Sequence, residues 1–171
     1  PLTAEKLEEM ALNYVGRFAT SRAKLRSFLE RKLRERGWAG DVEAPVDALA
    51  DKLVRLGYVD DRAFALSKAR SLTSRGYGTR RVQQALVSAG IDESECLEAR
   101  DFAEAEAVSA ALRFAKRRGI GPFATRLPNP HERERAIAAM VRAGHRFPIV
   151  RAIIDLSPGE SPDLEAIINP H

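Results

Sequence analysis

Three glycines recur along the chain at nearly equal intervals, each four residues after an apolar residue. They are Gly37, Gly90 and Gly144, which are separated by 53 and then 54 residues. Glycine adopts the left-handed conformation that ends many helices without a steric penalty. A unit of roughly fifty residues is too long for the common two-helix repeats and suits three short helices. The spacing therefore predicts an internal repeat of three-helix units.

The composition favours helices throughout. Of the 171 residues, 44% are hydrophobic and 30% are charged, and the strong helix formers Ala, Leu, Glu, Arg and Lys dominate. Apolar residues also return at helical spacing, as in the stripe formed by Leu25, Phe28, Leu29 and Leu33. We therefore expect an all-α protein with enough apolar residues for a core.

Helix breaks divide the chain into three predicted units and a tail. Repeat 1 covers residues 1–57, repeat 2 covers 58–106, and repeat 3 covers 107–156 with an inserted loop near Pro128. Residues 157–171 are acidic and rich in Pro and Ser, so we expect a flexible tail. Since repeats of this kind stack only on their neighbours, the expected fold is an elongated tandem array of three three-helix repeats.

Sequence signals for the compartment are few and agree with one another. No apolar run is long enough to span a membrane. The first residues lack the basic and apolar regions of a secretory signal, and the chain starts without Met, so we expect a trimmed terminus. Cys96 is the only cysteine, which excludes an internal disulfide and suits a reducing compartment. We expect a cytoplasmic protein, and without a heptad seam we expect a monomer.

No group of residues has the spacing of a catalytic or metal site. His131 and His145 lie fourteen residues apart and have no third ligand of suitable type nearby. The glycine-containing runs at 76–78 and 119–121 lack the Lys-Ser/Thr ending and the preceding strand of a phosphate-binding loop. We therefore expect no enzymatic activity, no metal and no cofactor.

Charge is distributed unevenly along the chain. Residues 22–36 contain seven basic and two acidic side chains, and 68–81 contain five basic and no acidic ones. Residues 92–106, in contrast, contain seven acidic side chains and one Arg. Basic surfaces of this kind attract phosphates or acidic proteins. Each block could equally be a solvated helix face.

Two basic clusters are candidate contact surfaces. Lys24, Arg31 and Arg34 fall within about 80° of arc on a predicted helix, opposite its apolar stripe. Further along, Tyr77 is surrounded by Arg75, Arg80 and Arg81, and an aromatic residue among arginines is a common composition for a binding hot spot. Tyr77 could instead pack inward.

Two other aromatic residues follow glycines that end helices. Trp38 follows Gly37 and Tyr58 follows Gly57. Because such joints bring neighbouring helices together, we expect both rings to pack between helices in the core.

Three runs of residues resemble the regulatory protein RecX family. They lie at 11–25, 56–65 and 75–82, and the most specific part is the Gly-Tyr-Val-Asp-Asp-Arg-Ala-Phe-Ala run at 57–65 followed by Arg-Gly-Tyr-Gly at 75–78. The resemblance covers residues 7–90 well and the third unit loosely. Thr79 and Lys24 depart from the family pattern, which usually has Pro or Lys at the first position and an acidic residue at the second.

The resemblance implies an array of three-helix repeats and a role as negative regulator of the RecA recombinase in DNA repair and the SOS response. Members of the family lodge in the groove of the RecA–DNA filament and suppress its ATP hydrolysis, strand exchange and co-protease activities. On this basis the partner is the RecA filament, with weak DNA contact in addition. The residues that we expect to make the contacts are Arg22, Lys24, Arg31, Arg34, Arg75, Tyr77, Arg80 and Arg81.

A direct DNA-binding module is the alternative. Three-helix units with short loops and a basic helix also build helix-turn-helix domains. Binding to naked duplex with a steep dependence on salt would favour that alternative.

Overall fold

The computed structural model describes residues 1–168, and all the regular elements within that range are helical. A single 3-10 turn, Gly121–Phe123, accompanies the α-helices. The helices are α1 Ala4–Arg17, α2 Arg22–Arg36, α3 Val46–Arg55, α4 Asp61–Ser74, α5 Thr79–Ser88, α6 Glu93–Ala105, α7 Ala107–Arg118, α8 Pro130–Arg142, α9 Phe147–Ile154 and α10 Leu164–Ile168. The predicted all-α class is confirmed.

Several of these helices begin and end at the residues that local sequence signals predict. The Ser21 side chain accepts a hydrogen bond from the Lys24 amide at 3.1 Å and caps α2. Asn129 and Glu132 form a capping box at the start of α8. The three repeated glycines follow α2, α5 and α8, and each has a positive φ. The helix ends inferred from the glycine spacing are thus confirmed.

The chain forms two compact units. The first contains Pro1–Ala65 and Leu86–Cys96, and the second contains Leu66–Ala85 and the chain from Leu97 onward. The middle helices α4, α5 and α6 therefore each contribute residues to both units. The division into repeats at 1–57, 58–106 and 107–156 follows the helix order and stays a prediction.

The core of the first unit is made by one face each of α1, α2 and α3. Leu7, Leu25, Leu29 and Leu53 are fully buried there. Leu2 joins them, and its backbone pairs with that of residues 37–39. The predicted stripe on α2 is confirmed, because Phe28 and Leu33 pack against the same core.

The two aromatic residues at the joints, Trp38 and Tyr58, differ in how far they are buried. Trp38 is partly buried against the core and its Nε1 donates a hydrogen bond to the Val42 carbonyl. Tyr58, however, is 57% exposed, so the expectation that it would pack in the core is wrong. The turn after α3 brings its neighbour Val59 into the core instead.

The core of the second unit lies between α7, α8 and α9. Phe114, Met140, Val150 and Ile153 are buried in it. Ile167 from α10 is also buried in it. Part of the segment expected to be a flexible tail thus forms a helix, which packs Ile167 into this core.

Among the helices in residues 1–168, none combines the length and the apolar character needed to cross a lipid bilayer.

Candidate functional site: two basic surfaces

The first basic surface is formed by Lys24, Arg31 and Arg34 on the outer face of α2. The opposite face of that helix is buried, so these side chains point to solvent. Together with Ser27 and residues 88–90 they line an open groove of about 550 Å³. The predicted common face is therefore confirmed.

A buried serine fixes one end of this groove. Ser21 is fully buried, and its Oγ donates a hydrogen bond to the Ala89 carbonyl at 2.5 Å. Gly90 follows, and a Cβ placed on it would meet the Cβ of Ala23 at 2.5 Å. The absence of a side chain at Gly90 therefore lets the end of α5 approach the start of α2.

The cations of the first basic surface make only weak contacts with neighbouring side chains. The Lys24 Nζ lies 5.3 Å from the centre of the Phe64 ring, within cation–π range. The Arg31 Nε lies 3.8 Å from a Glu35 carboxylate oxygen, and both side chains are about half exposed. Within the described part of the chain, no carboxylate lies within ion-pair distance of Arg34. Surface pairs of this kind contribute little to stability, so the charges stay open to a partner.

Arg22 differs from the other predicted contact residues. Its guanidinium bonds to Asp51 at 2.9 Å and to Asp47 at 3.4 Å, and its backbone amide bonds to Asp61 at 2.8 Å. The hydrogen bond to Asp51 is the main reason why the pKa of Arg22 is raised. The charge of Arg22 is thus compensated inside the first unit.

The second basic surface is centred on Tyr77, in the joint between α4 and α5. The guanidinium of Arg81 lies 4.9 Å and that of Arg75 lies 5.5 Å from the centre of the half-buried Tyr77 ring. Such contacts attract the two cations to the face of the ring. Tyr77 therefore packs partly against the core of the second unit while it supports two exposed charges.

Three more arginines complete the second basic surface. Arg117 and Arg118, at the end of α7, lie over the Phe114 ring, with guanidinium carbons 5.8 and 5.1 Å from its centre. Together with Arg142 they line a hollow of about 180 Å³ that also contains Tyr77 and Arg81. In residues 1–168 none of these five arginines has a carboxylate within 4.0 Å, so no acidic group of that range pairs with them.

Only part of this surface is predictable from the sequence. The basic run at the end of α7 is visible in the sequence, but nothing local indicates that it lies beside Tyr77. Arg142 is an isolated arginine of α8, 65 positions from Tyr77 along the chain, and only tertiary packing brings the two together.

Backbone contacts between two helix joints place Tyr77. The Gly78 amide donates to the Ala143 carbonyl at 2.9 Å, and the Arg80 amide donates to the Gly144 carbonyl at 3.0 Å. His145 is buried, and its Nε2 lies 2.8 Å from the Gly76 carbonyl. Since a carbonyl can only accept, the Nε2 carries the proton. Burial lowers the pKa of His145, so the ring is neutral near pH 7.

Arg80 lies apart from the second basic surface. It lines a separate groove of about 380 Å³ with Gln83, Arg100, Glu104 and Arg146, in which Arg146 pairs with Glu104. The structure thus brings Arg75 and Arg81 to Tyr77 and does not bring Arg80 there. Its neighbourhood is also less basic, because Glu104 supplies a carboxylate.

Comparisons with known proteins agree in both sequence and fold. Residues 60–99 match the family model described as RecX, second three-helix domain. The regulatory protein RecX of Myxococcus xanthus is 35% identical over 162 residues, which cover 89% of this chain and 86% of the relative. That of Thermus thermophilus is 29% identical over 139 residues, with coverage of 81% and 82%. The crystal structure of RecX from Lactobacillus salivarius superposes with a TM-score of 0.62 over 88% of this chain and 94% of that one, at 19% identity.

Proposed function

The chain belongs to the RecX family of regulatory proteins, and on that premise we propose that it is a negative regulator of the RecA recombinase. It binds in the groove of the RecA–DNA filament and inhibits ATP hydrolysis, strand exchange and co-protease activity. It acts as a monomer in the cytoplasm, where it limits the filaments formed during DNA repair and the SOS response.

The observation that carries this proposal is the second basic surface. Five arginines surround Tyr77 and Phe114 without a carboxylate to pair with them in the described residues. An arrangement of rigid aromatic rings and arginines is typical of residues that contribute most of the binding energy at protein interfaces. A nucleoprotein filament offers the negative charge that such a surface attracts.

The first basic surface supplies a second set of contacts in this proposal. Lys24, Arg31 and Arg34 extend the basic character along α2, and their groove is open to solvent. Arg22 would act indirectly, because its charge is compensated by Asp47 and Asp51. Arg80 would contact the partner from the separate groove that it lines with Arg146.

The proposal is tested by titrating the protein into preformed RecA filaments on single-stranded DNA while ATP hydrolysis is followed. The Arg81→Glu variant should require about ten-fold more protein for half-inhibition, which corresponds to about 1.4 kcal/mol of binding free energy. Arg55→Glu is the control, since Arg55 is an exposed arginine of α3 outside both basic surfaces. Equal inhibition by wild type and Arg81→Glu would remove the second basic surface from the interface.

Direct binding to duplex DNA is the second candidate function. It is favoured by the exposed basic face of α2, the second helix of a three-helix group, where the cations could approach phosphates. Phosphate-driven binding to duplex weakens with salt with a log–log slope of about −0.9 per phosphate contacted. A slope of that size with naked duplex, without inhibition of RecA, would favour this candidate.

A further inference from the structure

The second unit contains a cleft of about 480 Å³ between α8 and the loop that follows α7. It shares Arg118 and Arg142 with the second basic surface, but most of its wall is formed by the inserted loop and by α8. Its volume is within the range of roughly 300–1,000 Å³ that is usual for ligand sites. The cleft lies outside residues 60–99, which match the RecX family model.

The floor of this cleft is apolar. Ile120, Ile154 and Leu156 form it, together with the small side chains of Ala136 and Ala139 on α8. The two alanines lie three residues apart on one helix face, so their size keeps the cleft open along that face. Covering this floor with an aliphatic side chain is favourable, because apolar surface is removed from water.

The rim of the cleft is cationic. Five arginines line it, and Glu132 is the single carboxylate among its described lining residues. Both Glu132 oxygens accept hydrogen bonds from Arg126 at 2.9 Å, and that bonding is the main reason why the pKa of Glu132 is lowered. Arg133 is paired in turn with Asp155 at 2.8 Å. Glu132 and Asp155 are therefore each already paired with an arginine of the rim.

Three arginines of the rim remain for a ligand. Arg118, Arg135 and Arg142 have no carboxylate within ion-pair distance in the residues that the structure describes. Arginine binds carboxylates with two parallel hydrogen bonds, which fixes their orientation as well as their position. A ligand of the cleft should thus combine carboxylates with an aliphatic group.

The lining also argues against a nucleic acid as the occupant. Single-stranded nucleic acids gain much of their affinity from bases stacked on aromatic rings. The described lining residues of the cleft include no aromatic side chain. A phosphate backbone alone would use the rim and leave the apolar floor uncovered.

We propose that this cleft binds an acidic peptide segment of a partner protein, with an aliphatic side chain on the floor and carboxylates on Arg118, Arg135 and Arg142. The peptide is held by charge complementarity at the rim and by burial of its apolar residue between Ala136 and Ile154. Such a site would exist whether or not the chain regulates RecA.

The test is fluorescence anisotropy with the full chain and a labelled peptide Asp-Glu-Leu-Leu-Glu-Asp, without RecA, so that its result is separate from the test of the proposed function. A second peptide has Ser in place of both Leu, and a third probe is a single-stranded hexanucleotide. The leucine peptide should bind about ten-fold more tightly than either of the other probes, as expected when apolar burial adds to charge. Equal binding of the serine peptide or of the hexanucleotide, or no binding of the leucine peptide, overturns the proposal.

Two variants act on the cleft without altering a residue of the second basic surface. Ala136→Leu fills the floor without a change of charge, and Arg135→Gln removes one of the free cations. Each variant should lower the affinity for the leucine peptide about five-fold or more. Lys116 is an exposed cation of α7 outside the cleft, so Lys116→Gln should change this affinity by no more than about two-fold. Unchanged affinity of Ala136→Leu, with its helical circular dichroism retained, would show that the peptide does not occupy the floor.

Discussion

Single residues hold the elements of each unit in place, and Ser21 does so in the first unit. Its Oγ caps α2 and also donates to the Ala89 carbonyl, 68 positions further along the chain. Ser21 is fully buried, so water cannot readily replace the bonds that it makes. The residue that begins α2 is therefore also the one that fixes the end of α5 beside it.

The Ser21→Ala variant should lose about 2–3 kcal/mol of unfolding free energy, because a helix cap and a partner of a buried carbonyl are both removed. Urea denaturation followed by circular dichroism measures the loss. Ser27→Ala, an exposed serine of the same helix, should change stability by no more than about 0.5 kcal/mol. A similar small change for Ser21→Ala would mean that the buried bond contributes little.

In the second unit, the buried His145 makes stability depend on pH. Burial lowers its pKa in the folded state, so the unfolded chain binds a proton first as the pH falls through about 6.5. Stability contributed by the neutral ring is thus present above about pH 6.5 and is lost below it, by at most about 1.4 kcal/mol per pH unit.

The pH dependence is checked by comparing the wild type with His145→Gln between pH 5.5 and 7.5. A Gln amide can still donate to the Gly76 carbonyl but does not titrate in this range. We expect the melting temperature of the wild type to fall with pH relative to that of the variant. Parallel curves for the two proteins would show that His145 is free to take up a proton in the folded state.

At the scale of elements, two helix joints in the second unit depend on glycine. Gly144 has a φ of +95°, and a Cβ there would lie 2.6 Å from the Cβ of Arg81. A Cβ at Gly78 would lie 2.6 Å from the backbone nitrogen of His145. The joint between α4 and α5 therefore contacts the joint between α8 and α9 only because both lack a side chain at these positions, and this contact is what places Tyr77.

Gly144→Ala should cost about 3 kcal/mol or more, since it adds backbone strain of roughly 1–2 kcal/mol to a steric clash. Gly57→Ala is the matched control, because its φ is +81° but a Cβ there would meet nothing within 4 Å. It should cost only the strain of about 1–2 kcal/mol. Thermal unfolding of both variants separates the two contributions, and equal losses would contradict the close approach of the joints.

The elements were largely predictable from the sequence, and their contacts were not. Helix caps and glycine ends are local, so Ser21, Asn129 and Gly144 can be recognised from a few neighbouring residues. The exposure of Tyr58 was not predictable, because it depends on which of two adjacent residues turns toward the core. The same limit applies to Arg80, which the sequence places beside Tyr77, since adjacent residues of a helix lie on different faces.

At the scale of the whole molecule, the net charge is small although the chain has two strongly basic surfaces. The chain carries a formal charge of +4, yet each unit contains a basic surface with few acidic neighbours in the described residues. The basic runs at residues 22–36 and 68–81 predict both surfaces, because a run of basic side chains stays at the surface in almost any fold. The contribution of α7 and α8 to the second basic surface arises only from tertiary structure, so no local pattern could predict it.

We propose that these surfaces bind the RecA filament rather than bare DNA, and equilibrium binding tests this preference most directly. The labelled chain is titrated against RecA filaments preformed on single-stranded DNA, against the same DNA without RecA, and against duplex, each at two salt concentrations. We predict that the filament binds at least about ten-fold more tightly than either DNA, and that Arg81→Glu but not Arg55→Glu removes most of that preference. Equal or tighter binding to naked DNA, with a steep salt slope, would contradict the account.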